Sequence, residues 1–352
     1  MRNKSGTESG KQKVTMQMIA DKCGVSKGLV SLALSDRYGV SEKTRSQIVM
    51  RAIQMGYDFD KVKKHKVYQN KKIIYVLTKD IDLQTDRFWP QIIRGVEEQA
   101  KRCEYKIIVK SWNDSIDHKE FISEIVNMKC SGIAIISELP EFIVNNLVLS
   151  KIPMVLVDGK IMRDDEIDST GVNDYAMAYR AVEFAIRNGY RRIAFVGYEL
   201  YAHSYRQRYN GFRDCIADHR ELGAEGVSLT DVGNDATLTN CYNIEQLVAS
   251  LEARECDLYL CASDNIAERL YGYAKKIGLR IPHDIGVIGF DDNYFSQSLE
   301  PSLTTVSVPK TELGRQTVDL LISRIKNPNG YFKRISVCGE LIVRKSLLIK
   351  EE

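Results

Sequence analysis

The sequence predicts a small all-α headpiece followed by an α/β core of two doubly wound parallel-sheet lobes. Three observations carry that prediction. At 352 residues the chain suits a small module joined to a larger one better than one compact domain. From Val14 to Gly56 apolar residues recur at helical spacing, whereas beyond Ile73 short β-branched runs alternate with longer amphipathic ones. Charge divides in the same place: residues 1–70 carry 14 Lys/Arg against 6 Asp/Glu in a chain of net charge +3, so a basic head sits on a mildly acidic body.

Residues 1–13 are polar and basic, without apolar periodicity, and read as a flexible tail. They have no apolar segment of the kind that directs export. Residues 14–57 read as a helix-turn-helix unit. Thr15 caps a first helix that turns Ile19 and Ala20 inward. Gly24 stands where the chain must turn with positive φ, and Val25 plugs the angle between helices. Ser26 caps a second helix whose Leu29, Val30, Ala33 and Leu34 form an inward stripe, leaving Lys27, Gly28, Ser31, Leu32 and Ser35 outward. Ser41 caps a third helix that Gly56 stops. This is how a recognition helix is presented to the DNA major groove. Lys27, Gly28 and Leu32 are expected at base edges, and Thr15, Ser26, Ser31, Ser41, Thr44 and Tyr57 at phosphates. Gln17, Leu29 and Ser35 complete the expected DNA-contacting set. The competing reading is a plain three-helix bundle.

Residues 58–72 turn basic and polar and read as a linker, and residues 73–352 as the two-lobed core. Candidate strands are 73–77, 106–110, 132–136, 154–157, 192–196, 257–261, 285–289 and 303–306. Candidate helices are 88–102, 119–128, 174–188, 205–217, 244–251, 265–277 and 310–325. Strands alternating with helices imply parallel sheets covered on both faces. Eight scattered cysteines without a Cys-x-x-Cys pair read as reduced thiols. Five scattered histidines lack metal-ligand spacing, so no metal and no cofactor is expected. No run of 18 apolar residues exists, which excludes a membrane-spanning helix and leaves the cytoplasm as the expected location.

These residues resemble the LacI/GalR (lactose-repressor) family. The resemblance runs without a gap from Val14 to Tyr57, through Val-Thr, Ile-Ala, Gly-Val-Ser, Thr-Arg and Gly-Tyr. It continues through Phe88–Glu98, Ile152–Asp158, Gly189–Gly197, Ser204 with Arg208 and Gly211–Arg213, Ala262–Asp264, Gly286–Asp292, Pro301–Val306 and Glu340–Arg344. It implies a core like the type I periplasmic sugar-binding proteins, and a homodimeric regulator, a repressor, on double-stranded operator DNA. It also implies a small effector, a sugar or sugar derivative, held between the lobes. Carried over by position, the effector residues are Phe88, Trp89, Asp158, Ser204, Arg208, Asp264 and Asp291. Arg208 would offer its guanidinium fork to vicinal hydroxyls or a phosphate, and the aspartates would accept sugar hydroxyls at strand ends. A core role for Trp89, a loop or capping role for Asp158 and an N-cap role for Asp264 remain open.

Three stretches depart from the family pattern. Lysines stand at 61, 63, 64 and 66, where the family places Ala and Leu for a minor-groove helix, which implies weaker kinking and steeper salt dependence. Leu32 stands where many members carry a guanine-reading arginine. Asp231–Thr239 lacks the aromatic that often stacks on the effector. Two other classes compete. An enzyme is disfavoured because no Gly-x-Gly-x-x-Gly, P-loop or Gly-x-Ser-x-Gly motif is present. A transporter's solute-binding protein is disfavoured by the helix-turn-helix and the missing export signal.

Overall fold

A computed structural model describes residues 13–35, 39–59, 72–80, 88–127, 130–159, 167–229 and 244–349. The expected tail, most of the linker with its lysines, and the segment Asp231–Thr239 lie outside the described residues.

The headpiece is three helices: α1 (Met16–Cys23), α2 (Lys27–Leu34) and α3 (Glu42–Gln54). Each starts on the hydroxyl that the sequence offers. Thr15 Oγ accepts Met18 N–H at 3.3 Å, Ser26 accepts Leu29 N–H at 3.1 Å, and Ser41 accepts Thr44 N–H at 3.2 Å. The turn after α1 passes through Gly24 at φ 65°, left-handed backbone that a Cβ would strain. Ile19, Ala20, Val30, Ala33, Ile48, Ala52 and Ile53 close the headpiece core. Arg45, itself buried, donates to the Ala33 carbonyl at 3.1 Å and ties α3 to the end of α2.

The core holds two six-stranded sheets. In the first lobe β1 (Ile73–Lys79), β2 (Lys106–Trp112), β3 (Gly132–Ile136), β4 (Met154–Val157), β5 (Asp168–Val172) and β11 (Arg334–Val337) run parallel in the order β11-β5-β4-β3-β1-β2. In the second lobe β6 (Arg192–Val196), β7 (Glu225–Leu229), β8 (Leu258–Cys261), β9 (Gly286–Asp291), β10 (Thr304–Ser307) and β12 (Glu340–Ile342) follow the order β12-β10-β9-β8-β6-β7, with β12 alone antiparallel. Helices α4 (Trp89–Arg102), α5 (His118–Asn127), α6 (Glu141–Leu149) and α11 (Lys310–Lys326) cover the first sheet. Helices α7 (Asp174–Arg187), α8 (His203–Asp218), α9 (Ile244–Ala253) and α10 (Asp264–Lys276) belong to the second lobe. Beyond its headpiece contacts, α3 also packs on α5 and α6 of the first lobe, which is why Met50 and Ser46 are buried along with Ile48 and Ile53.

Among the described residues the chain passes between lobes three times, at 172–174, 307–310 and 337–340. The second and third passages touch. A Cβ on Gly339 would lie 1.7 Å from the Ser307 carbonyl oxygen, so only glycine fits there.

Glycine also sets the crossing of α4 and α11. A Cβ on Gly314 would meet the Ile92 carbonyl oxygen at 2.2 Å, and one on Gly95 the Thr311 carbonyl oxygen at 2.1 Å. Both obstacles are backbone and cannot swing away. Gly314→Ala is therefore expected to cost about 2–3 kcal/mol by forcing the helices apart, read as a lowered urea midpoint with an unchanged slope.

Five elements lack counterparts in the sequence reading: α6, β5, β7, β11 and β12. β5 (Asp-Ser-Thr-Gly-Val) lies inside its sheet yet is mostly polar, because buried partners satisfy it. Asp168 takes Arg324 in a two-pronged pair at 2.6 and 3.0 Å, and Thr170 shares a 2.7 Å hydrogen bond with Thr317. β7, β11 and β12 are edge or near-edge strands only partly covered, so they carry no apolar run.

Candidate functional site

Parallel strands deliver their C-terminal ends to one edge of each sheet, and in doubly wound sheets the crevice opens where strand order reverses. Here those places are β1/β3 in the first lobe and β6/β8 in the second. Ser137, Asp158, Asp291 and Asp292, at or just beyond the ends of β3, β4 and β9, have φ of 82°, 51°, 108° and 50°. Left-handed backbone at four side-chain-bearing residues is costly and clusters where side chains must be aimed.

Arg208 stands at the centre, on α8 and buried. Its Nε donates to Asp174 Oδ1 at 2.7 Å and one terminal nitrogen to the Ala262 carbonyl at 2.6 Å. The other terminal nitrogen pairs with Asp291 Oδ1 at 3.2 Å. The Phe290 ring lies flat beneath it, 3.7 Å from ring centre to guanidinium carbon. Lys310, at the start of α11, sends its buried ammonium to the Asp291 carbonyl and sits 5.7 Å from the Phe88 ring centre. Phe88 meets Trp89 edge-on at 5.1 Å. A second link spans the lobes: Glu138, beyond β3, accepts the His203 N–H at the start of α8 at 3.1 Å. That helix start has no side-chain cap of its own.

The electrostatics follow from this crowding. Burial and the neighbouring Asp174 carboxylate push Asp158 well above the usual carboxylate range. Burial raises Asp174 too, against the pull of Arg208. Burial opposes the Arg208 charge, and the Asp174 and Asp291 carboxylates more than offset it. Lys310 is lowered by burial in spite of Asp291.

The structure thus brings Phe88, Trp89, Asp158, Arg208 and Asp291 together. Ser204 lies one helical turn before Arg208 and is buried. Asp264 is different. It is the first residue of α10, behind the Ser263 N-cap, and fully buried. One oxygen takes Asn293 N–H and Ser296 Oγ at 2.7 and 2.6 Å, and the other takes Thr305 Oγ at 2.6 Å. Its oxygens are committed inside the lobe, so it acts as a strut for the β9 loop instead of facing a ligand or capping a helix. Arg208 departs in part: the fork expected to be offered to a ligand is held by protein oxygens. Sequence reasoning missed Asp174, because β5 and hence its end went unseen. It also missed Lys310, although a lysine in the first turn of a helix opposes the helix dipole and was a readable signal.

In the headpiece Gln17, Lys27, Gly28 and Ser31 are exposed, Leu29, Leu32 and Ser35 are half-buried, and the capping hydroxyls of Thr15, Ser26 and Ser41 lie at the surface beside half-buried Thr44. Tyr57 is the correction here. It is 4% exposed and packs edge-on against Phe59 at 5.5 Å, so its ring is core and not presented to a phosphate.

Residues 182–347 match the model of the periplasmic binding protein-like domain. Along nearly the full chain it is 26% identical to the probable HTH-type transcriptional regulator EndR of Paenibacillus polymyxa, over 88% of this chain and 90% of that protein. It is 26% identical to the HTH-type transcriptional repressor PurR of Erwinia tasmaniensis, over 95% and 96%. The match therefore takes in headpiece and core together. Over nearly its whole length the chain is similar to HTH-type transcriptional regulators. Its fold agrees with two solved structures: the transcriptional regulator CelR in complex with cellobiose (TM-score 0.67, 20% identity, 95% of this chain and all of that one) and the lac repressor dimer bound to operator and the anti-inducer ONPF (0.66, 20%, 96% and all). The Arg208 cluster draws Phe88, Asp158 and Lys310 from elements of the first lobe and Asp174, Arg208 and Asp291 from the second, and so lies between the lobes.

The seven described cysteines are free thiols, and burial pushes Cys130 and Cys215 up to about 12. Among the described residues no His/Cys/Asp/Glu group could hold a metal ion, and no helix is long and apolar enough to cross a membrane.

Proposed function

We propose that this protein is a sequence-specific transcriptional regulator, a repressor, whose hold on operator DNA is set by a small ligand in the Arg208 cleft. The observation that carries the reading is the joining, in one chain, of an outward Lys27–Gly28–Ser31 face on a capped α2 with a two-lobed cleft lined by oriented polar groups. Among the described residues three passages join the lobes, so a ligand that favours one spacing of the lobes shifts the population of that state. The chain acts as a homodimer, because one recognition helix reads few base pairs and two half-sites sum their contacts. Its place is the cytoplasm, where the DNA is. The cleft is assigned binding without turnover: its carboxylates, guanidinium and ammonium neutralise one another instead of leaving a base and a nucleophile poised. Incubation with the bound sugar and product analysis tests that assignment, and any catalytic conversion would refute it.

Specificity rests on few residues. Leu32 offers a thymine methyl only apolar contact, whereas arginine there would reach guanine O6 and N7. In a selection from randomised duplexes, Leu32→Arg is expected to introduce a guanine at one position of each half-site, worth about 1–3 kcal/mol. An unchanged selected site would remove Leu32 from the interface. Binding itself is tested by the fluorescence anisotropy of the selected duplex with the full-length protein, with and without sugars.

A further inference from the structure

Arg208 is the chief cation of the cleft, yet each of its three donating nitrogens already points at a protein oxygen: Asp174, the Ala262 carbonyl and Asp291. The second cation, Lys310, is turned to the Asp291 and Asp292 carbonyls. Acceptors, by contrast, are left over in the loops that follow the C-terminal ends of β9 and β6. Asn293 is 1% exposed, and its side-chain carbonyl oxygen has no hydrogen-bond partner among the described residues. Glu199, in the loop between β6 and α8, keeps one buried carboxylate oxygen equally without partner. Asp158 faces the same charges from the first lobe. Three carboxylates (Asp158, Asp174 and Asp291) thus stand around Arg208, whose three nitrogens each already face a protein oxygen.

We propose that the cleft selects a ligand rich in hydrogen-bond donors and free of anionic groups: a carbohydrate bearing hydroxyl or amine groups and no phosphate or carboxylate. A phosphate oxygen entering here would have to displace Asp174 or Asp291 from Arg208 and leave that carboxylate buried and unpaired. Hydroxyl or ammonium donors instead meet acceptors such as the Asn293 side-chain carbonyl without disturbing the Arg208 pairs. The inference rests on the reading of this cleft as the ligand site and adds its charge preference. The capture of phosphate, which the Arg208 fork alone would favour, is opposed by the same geometry.

The test uses the full-length protein and three sets of probes: inorganic phosphate; glucose, ribose and cellobiose; and glucosamine beside glucose 6-phosphate. Thermal melting is followed for wild type, Asp158→Asn and Asp174→Asn. Wild type is expected to be indifferent to millimolar phosphate and to glucose 6-phosphate. At least one of the two variants, each with one cleft carboxyl replaced at constant shape, is expected to gain phosphate binding by about tenfold or more. Asp158→Asn guards against a folding failure in Asp174→Asn, since Asp158 lies at the edge of the cluster. Phosphate stabilisation of wild type that vanishes in Arg208→Lys overturns the proposal. So does continued indifference to phosphate in both folded variants. A phosphate ester that binds and alters operator affinity would overturn the charge preference and leave the ligand-sensing reading standing. If a neutral or amino sugar binds without altering operator affinity, the sensing reading falls and the charge preference stands.

Discussion

Replacing Arg208 with methionine is expected to cost about 3–5 kcal/mol of folding stability, the loss typical of removing one partner from a buried ion pair. Asp174 and Asp291, 2% and 7% exposed, would keep their carboxylates without the guanidinium that compensates them. The loss should depend on pH, and its sign is fixed. Burial already holds Asp174 above its ordinary value, and without Arg208 it rises further. A carboxyl whose folded pKa exceeds its unfolded one destabilises the fold at pH above both. That penalty fades as pH falls through the folded value. Urea melts of Arg208→Met should therefore show a larger deficit against wild type at pH 8 than at pH 5. Adding Asp174→Asn should recover part of it at pH 8. A deficit no larger than that of Arg94→Met, which removes a side chain 75% exposed, would mean that the cluster is not desolvated in solution.

The second large effect lies away from the cleft. Asp168→Ala is expected to cost about 3–5 kcal/mol as well. The Arg324 guanidinium, 7% exposed, gathers Asp168 and the carbonyls of Pro328, Gly330 and Tyr331, while Asp168 also accepts Lys333 N–H at 2.7 Å. One ion pair thus ties α11 to β5 and lays the chain into β11, just before it passes to the second lobe. Hydrogen exchange should accelerate over 328–337 before the rest of the first sheet opens, because that segment depends on the pair most directly. Exchange that rises uniformly over both lobes would contradict this local role.

The fold was legible in the sequence wherever burial is apolar. The runs at 132–136, 154–157 and 192–196 have the bounds of β3, β4 and β6, and Thr15, Ser26 and Ser41 start their helices as expected. It was illegible where polar groups are buried in pairs whose partners lie far along the chain. Asp168 and Arg324 are 156 residues apart, and nothing local to β5 marks either as interior. The cleft shows the same limit. Arg208 and Asp291 stand out as isolated charges in motifs, but the third partner, Asp174, is indistinguishable in sequence from an acidic residue opening a helix. Asp264 shows the converse: a strand-end aspartate that reads as ligand-facing is absorbed by Asn293, Ser296 and Thr305. The hydrogen-bond partners, which only the folded chain assembles, decide between those fates.

The central claim is that the headpiece and the cleft are coupled in one molecule, and operator affinity measured with and without bound ligand tests it most directly. The full-length protein is titrated onto a fluorescent duplex recovered by selection, at fixed salt, in the presence and absence of a sugar that calorimetry has shown to bind. Affinity for that duplex is expected to exceed that for a scrambled one by about 10³-fold or more, and saturating sugar is expected to shift it by about 5- to 150-fold. A bound sugar that leaves the operator dissociation constant unchanged would contradict the account.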